Sequence, residues 1–169
     1  MWALVPIKQL ERAKSRLAPA LDPRQRQRLV RAMFLDVLTT LRQVDRLEGI
    51  AVVTSDDGLA TSASDLGATV LREPEPGDDE AGSHLNRALE SARTRLASQL
   101  RDGLLVVPAD VPLLGRAEIE ELLDLADEHR AVVVIAPDRS EDGTNALVLR
   151  PATAIPFLFG PGSAEAHTQ

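Results

Sequence analysis

Short apolar runs alternate with longer stretches in which apolar residues recur every three or four positions, and this alternation continues along most of the chain. Trp2 to Ile7 is the first such run and reads as a strand. Asp22-Pro23 looks like an N-cap followed by proline in the first helical position. Beyond it, Leu29, Val30, Met33, Phe34, Val37, Leu38 and Leu41 form one apolar stripe at helical spacing. Gly49 punctuates the chain, and Ile50 to Val53 predicts a buried strand ending in Thr54-Ser55-Asp56-Asp57. A short helix over Leu59 to Leu66 and a strand over Ala68 to Leu71 follow. Glu73 to Gly82 carries two prolines, two glycines and five acids, the composition of an exposed loop. Leu85, Leu89, Ala92, Leu96 and Leu100 predict a second amphipathic helix. Leu104 to Val107 is a strand, Arg116 to Glu128 a third helix, Ala131 to Ile135 a fully apolar strand and Ala146 to Leu149 another.

Strands alternating with helices predict an α/β fold with a mostly parallel, doubly wound sheet flanked by helices. The tight link between Ile135 and Ala146, with its Asp142-Gly143 turn, is where an antiparallel pairing is expected. A chain of 169 residues suits one domain with a sizeable core. Aromatic residues are only 2% of the total, so Ala, Leu and Val must build that core, and base stacking on single-stranded nucleic acid is disfavoured. The net charge of −7 argues against nucleic-acid backbones and anionic membranes as partners. An anionic small ligand would need a local cluster of cations. The absence of cysteine excludes disulfides, thiolate nucleophiles and cysteine-ligated metal centres, and fits a cytoplasmic protein. No apolar run reaches membrane-spanning length.

The most informative stretch is Leu104 to Leu114, LLVVPADVPLL. Pro108 stops the strand because proline cannot donate to the ladder. Asp110 is thereby presented just past a strand's carboxyl end, where ligands bind in open α/β sheets. A carboxylate fixed between two prolines there suits a hard divalent cation held against phosphate oxygens, although a turn aspartate capping the next helix has the same spacing. Lys8, Arg12, Lys14 and Arg16 follow the first strand, as phosphate-clasping cations or as a solvated basic surface. Asp142-Gly143 accounts for a hairpin turn but not for the Thr144-Asn145 that follows. Gly160-Pro161-Gly162-Ser163 offers backbone N–H groups to an anion, or else belongs to a flexible tail in which His167 lies at the surface. Walker A and G-x-G-x-x-G patterns are absent, and a nucleophile elbow is absent too. Those absences make P-loop NTPases and ordinary dinucleotide dehydrogenases poor fits, and a serine–histidine hydrolase reading fails.

Taken in order, these segments resemble the CofC/FbiD family of guanylyltransferases in coenzyme F420 biosynthesis. The resemblance is carried by VPIKQLERAKSRLAP from Val5, VTSD from Val53, Leu85-Asn86 with Ala88-Leu89, and VVPADVPLL from Val106. It continues through APDR with DGTNAL and through FGPGS with its trailing histidine, covering Val5 to His167. It implies a nucleotidyltransferase-like (GT-A-like) domain over residues 1–169 that moves GMP from GTP to phosphoenolpyruvate or 2-phospho-L-lactate. Asp110 would bind Mg2+, Lys8, Lys14 and Arg16 would hold the triphosphate, and Lys14 and Asp110 would carry catalysis. Asn86 would lie near the guanine. Thr144, Gly160 and Ser163 match the positions for the acceptor's phosphate and carboxylate. Family members continue to a late strand whose Asp-x-Asp pair completes the metal site, a pair the present sequence lacks. The alternatives are transfer with another base or acceptor, such as cytidylyl transfer to a sugar phosphate, and a module that binds GTP or the phospho-acid without turnover.

Overall fold

Asp22 starts the first long helix through a reciprocal cap: its Oδ1 accepts from Gln25 N at 2.8 Å while Gln25 Oε1 accepts from Asp22 N at 2.9 Å. Pro23 follows at a position whose N–H has no intrahelical partner to lose. In a computed structural model, which describes residues 1–8, 17–73 and 81–169, the elements alternate as the hydrophobic pattern predicts. They are β1 (Trp2–Pro6), α1 (Pro23–Leu41), β2 (Gly49–Thr54), α2 (Asp57–Asp65), β3 (Thr69–Arg72) and α3 (Ala81–Arg95). The chain continues with β4 (Leu104–Val106), α4 (Arg116–Asp127), β5 (Val132–Pro137), β6 (Thr144–Arg150) and the short α5 (Ser163–Ala166).

The strands form one sheet in the order β3-β2-β1-β4-β6-β5. β1 pairs in parallel with β2 and β4, and β2 in parallel with β3. β6 runs antiparallel to both β4 and β5. The expected antiparallel pairing is therefore present, but its position differs from simple addition at an edge. The tight turn folds β6 back inside β5, so the last strand to form in sequence becomes interior and the fully apolar β5 becomes a half-buried edge.

Alternation along each strand divides the core into two. Ala3, Val5, Leu105, Val107 and Val148 face the side covered by α1, α2 and α4. Leu4, Leu104, Val106, Leu147 and Leu149 face the other side, under α3 and the segment around Phe157 and Phe159. Three expectations need correction. Leu29 sits at the margin of the α1 stripe and is 36% exposed. α3 ends at Arg95, although Leu96 beyond it remains buried. Of the loop expected over Glu73 to Gly82, residues 74–80 lie outside the described residues, while Ala81 and Gly82 belong to α3 and Glu73 packs inward. No helix among the described residues is long and apolar enough to cross a membrane.

Candidate active site

β1 marks the point where the strand order reverses, with β2 and β3 on one side and β4 on the other. A crevice outside the carboxyl ends of such strands is the natural ligand site of an open α/β sheet. Pairing runs past the formal strand ends, since Ile7 N donates to Val53 O at 2.9 Å and Val107 N to Leu4 O at 3.0 Å. The loops carrying Lys8 and Asp110 therefore emerge side by side. A cavity of about 300 Å³ opens between them, walled by Ile7, Val30, Leu85 and Phe159. Both charged residues lie just past the ends of β1 and β4, where the sequence places them. Arg12, Lys14 and Arg16 lie outside the described residues. Among those described, no three histidine or acidic side chains converge as a metal cage. Magnesium needs only one or two protein carboxylates when substrate phosphates complete its shell, so the exposed carboxylate of Asp110 is a suitable donor.

Asn86, expected near the base, spends its amide on the chain itself. Its Nδ2 donates to Phe159 O at 3.0 Å, and its Oδ1 accepts from Phe159 N at 2.8 Å. This pair of bonds pins the Phe159 wall of the cavity to α3. One turn further on, Glu90 Oε1 accepts from Phe157 N at 3.3 Å. Arg93 donates to Ala152 O at 3.1 Å and Ile155 O at 2.9 Å, with its guanidinium 4.7 Å from the Phe157 ring centroid. Glu90 and Arg93 also pair with each other. Their i, i+3 spacing was visible in the sequence, but nothing local indicated what they would hold.

Thr144, Ser163 and His167 meet in a buried network. Ser163 is 1% exposed and His167 3% exposed, so the histidine is an interior residue and the segment around it is packed. This corrects the reading of a surface histidine on a flexible tail. Leu158 N donates to His167 Nε2 at 3.0 Å, which requires a lone pair on that nitrogen. Nδ1 then carries the hydrogen and donates to Thr144 Oγ1 at 3.1 Å, and Thr144 donates in turn to Ser163 Oγ at 3.1 Å. Burial pushes the His167 pKa down, in keeping with that neutral tautomer. Phe159 packs edge-on against the imidazole with centroids 5.0 Å apart, which links the network to the cavity wall. Gly160 is exposed at φ 146°, with open space where a Cβ would stand. The structure thus brings Thr144 and Ser163 together, with Gly160 on the outside, and among the described residues Phe159 joins them to the Lys8–Asp110 cavity.

One polar residue on the cavity wall was missed. Glu73 follows β3 and continues its pairing, its N–H donating to Thr54 O at 3.3 Å. Its side chain, 9% exposed, lies 3.2 Å from His84 Nδ1 and accepts from Ser55 Oγ at 3.2 Å. The available signal was its position immediately after a predicted strand, which the acidic, proline-rich stretch behind it obscured.

The model of the family described as "Guanylyl transferase CofC like" matches residues 1–169. A phosphoenolpyruvate guanylyltransferase of Rubrobacter xylanophilus is 42% identical over 169 residues, spanning all of this chain and 78% of its own length. A 2-phospho-L-lactate guanylyltransferase of Methanothermobacter thermautotrophicus is 39% identical over 166 residues, 98% of this chain and 68% of its own. A solved structure from Desulfovibrio desulfuricans, assigned provisionally as a nucleotide-diphospho-sugar transferase, superposes with a TM-score of 0.67 at 16% identity. That match covers 92% of this chain and 65% of the other, so the chain spans about two thirds of that structure, which speaks for the fold alone. With the family pattern matched from end to end and relatives this similar, the chain belongs to the CofC-like guanylyl transferase family.

Proposed function

We propose that this protein transfers the guanylyl group of GTP to the phosphate of phosphoenolpyruvate or 2-phospho-L-lactate, within coenzyme F420 biosynthesis. The observation that carries this reading is the cavity at the sheet's switch point, where Lys8 and Asp110 face an apolar wall in a member of this family. An acceptor phosphate oxygen attacks the α-phosphorus; that P–O bond forms as the bond from the α-phosphorus to the bridging oxygen breaks, and pyrophosphate leaves. Such transfer asks the protein for positioning and charge neutralisation rather than covalent help.

Lys8 lies at the rim of the cavity, and Lys14 with Arg16 follows it in the same basic segment to hold the triphosphate. Asp110 holds Mg2+, which when bound neutralises developing negative charge on the phosphates. Asn86 acts through Phe159, fixing the wall against which the nucleotide lies. Thr144, Gly160 and Ser163 form the acceptor side, with Gly160 giving close backbone access and the buried hydroxyl pair holding the turn in place.

The test is incubation with GTP, magnesium and each acceptor, followed by pyrophosphate detection. Pyrophosphate release that depends on a phospho-acid supports the reading. A rise in melting temperature with GTP but no pyrophosphate would leave a binding module. Asp110→Asn keeps the size of the side chain and removes its charge, and is expected to lower turnover about 100-fold or more, a few kcal/mol of transition-state stabilisation. Unchanged turnover at saturating magnesium removes Asp110 from the metal site.

A further inference from the structure

Glu73 stands out on the cavity wall. It is a nearly buried carboxylate among Val53, Leu85, Ala88 and Phe159. A carboxylate is an acceptor-only group with about four lone-pair positions. Among the described residues two contacts reach it, from Ser55 Oγ and His84 Nδ1, one on each oxygen. Burying the remaining acceptor capacity in an apolar wall is costly unless a ligand satisfies it. The neighbouring His84 Nε2 is likewise buried without a hydrogen-bond partner among the described residues. Ser55 and Glu73 continue the parallel register of Thr54 with Arg72, so the carboxylate is fixed by rigid strand ends rather than by a loop.

We infer that Glu73 is the specificity-determining residue for the nucleotide, accepting hydrogen bonds from guanine N1–H and the guanine 2-amino group while Ser55 and His84 fix its orientation. This rests on the reading that the cavity takes the base of GTP. Guanine presents two adjacent donors on one edge, matched to the two oxygens of a carboxylate. Adenine and cytosine place a ring acceptor beside their amino donor, and uracil flanks its single N–H with carbonyls. Each would set an acceptor against the carboxylate. The strand order adds the geometry of the whole ligand. Glu73 follows β3 and Asp110 follows β4, three strand spacings apart, about 14 Å along the row of strand ends. A base edge at Glu73 thus leaves the phosphates toward Lys8 and Asp110 in the same cavity, whose size lies at the lower end for small-molecule sites.

The experiment measures binding of GTP, ITP, N1-methyl-GTP and XTP to the wild-type protein and to Glu73→Gln, with circular dichroism to confirm folding. Wild type is expected to bind GTP about tenfold or more tightly than ITP, which lacks the 2-amino group, and to reject N1-methyl-GTP. Glu73→Gln offers one acceptor and one donor, which suit N1–H beside the C2 carbonyl of xanthine. It is expected to lose roughly 10- to 100-fold in GTP affinity and to gain XTP affinity, inverting the preference. Equal losses for GTP and XTP in Glu73→Gln, or wild-type indifference to N1-methylation, overturn the assignment. If the variant does not fold, wild-type indifference to N1-methylation or to loss of the 2-amino group still overturns the assignment. Wild-type failure to bind GTP at all overturns the underlying reading, whereas GTP binding with unchanged base preference in Glu73→Gln overturns this inference alone.

Discussion

Thr144 is a small residue with two buried dependants. Its hydroxyl is the partner of both His167 Nδ1 and Ser163 Oγ, so Thr144→Val, nearly equal in shape, strands two polar atoms in the interior. The expected cost is about 1–3 kcal/mol, read from the urea midpoint at unchanged slope. A loss within about 0.5 kcal/mol, the range of ordinary surface changes, would show that the network contributes little. His167 gives the same network a pH dependence. Its pKa is lowered by burial from an ordinary value of 6.5. The unfolded chain therefore takes up a proton at a pH where the folded chain does not. Its contribution to stability is full above about pH 6.5 and is lost as pH falls from there through the folded pKa. Melting temperature between pH 7 and 5 is expected to fall more steeply for wild type than for His167→Gln, which has no imidazole to titrate. Parallel slopes would remove His167 as a cause.

At the scale of elements, the segment from Ala152 to Phe159 has little regular structure and is held from outside by α3. Arg93 accomplishes most of this with one planar group that donates to two carbonyls and stacks on Phe157. A lysine ammonium is a point charge and cannot do both. Arg93→Lys is therefore expected to cost about 1–3 kcal/mol and to speed amide exchange at Phe157 and Phe159, while the amides of β1 stay protected. Equal acceleration at both places would mean that the segment opens only when the whole sheet does. Gly103 constrains the approach to β4 in another way. It has φ 112°, and a Cβ there would stand 2.5 Å from Leu149 O on β6. Gly103→Ala is expected to destabilise by more than about 1 kcal/mol in thermal unfolding, since strain and collision act together.

For the whole molecule, the balance of charge decides how an anionic nucleotide is captured. A net charge of −7 repels triphosphate at long range, so on the proposed reading attraction comes from the cations that follow β1 in the sequence. Lys14→Ala is expected to raise the KM for GTP about 10- to 100-fold, the effect of losing one charge-assisted hydrogen bond. Lys8→Ala at the rim is expected to do less. Equal and negligible effects of the two on GTP affinity would return the basic segment to a solvated surface. The sheet makes this capture local, because adjacency of β1 and β4 is what sets Lys8, the first of those cations in sequence, beside Asp110.

The elements themselves were legible in the sequence because their causes are local. The Asp22-Pro23 cap, the stripe through Phe34 and Leu38, and the apolar runs at Val52 and Leu105 depend on residues within a few positions of one another. The place of Asp110 was legible for the same reason, since Pro108 ends the strand just before it. What the sequence could not display were the meetings of distant residues. Asn86 grips Phe159 across 73 positions, and Thr144 joins His167 across 23, so neither the clamp nor the burial of the histidine leaves a local pattern. The insertion of β6 between β4 and β5 was likewise hidden, because strand order follows from which apolar faces can be covered together. Glu73 shows the division most clearly: its composition marks an exposed acidic loop, and only the parallel pairing of β2 with β3, with α3 packed above, turns it into a fixed carboxylate in the cavity wall.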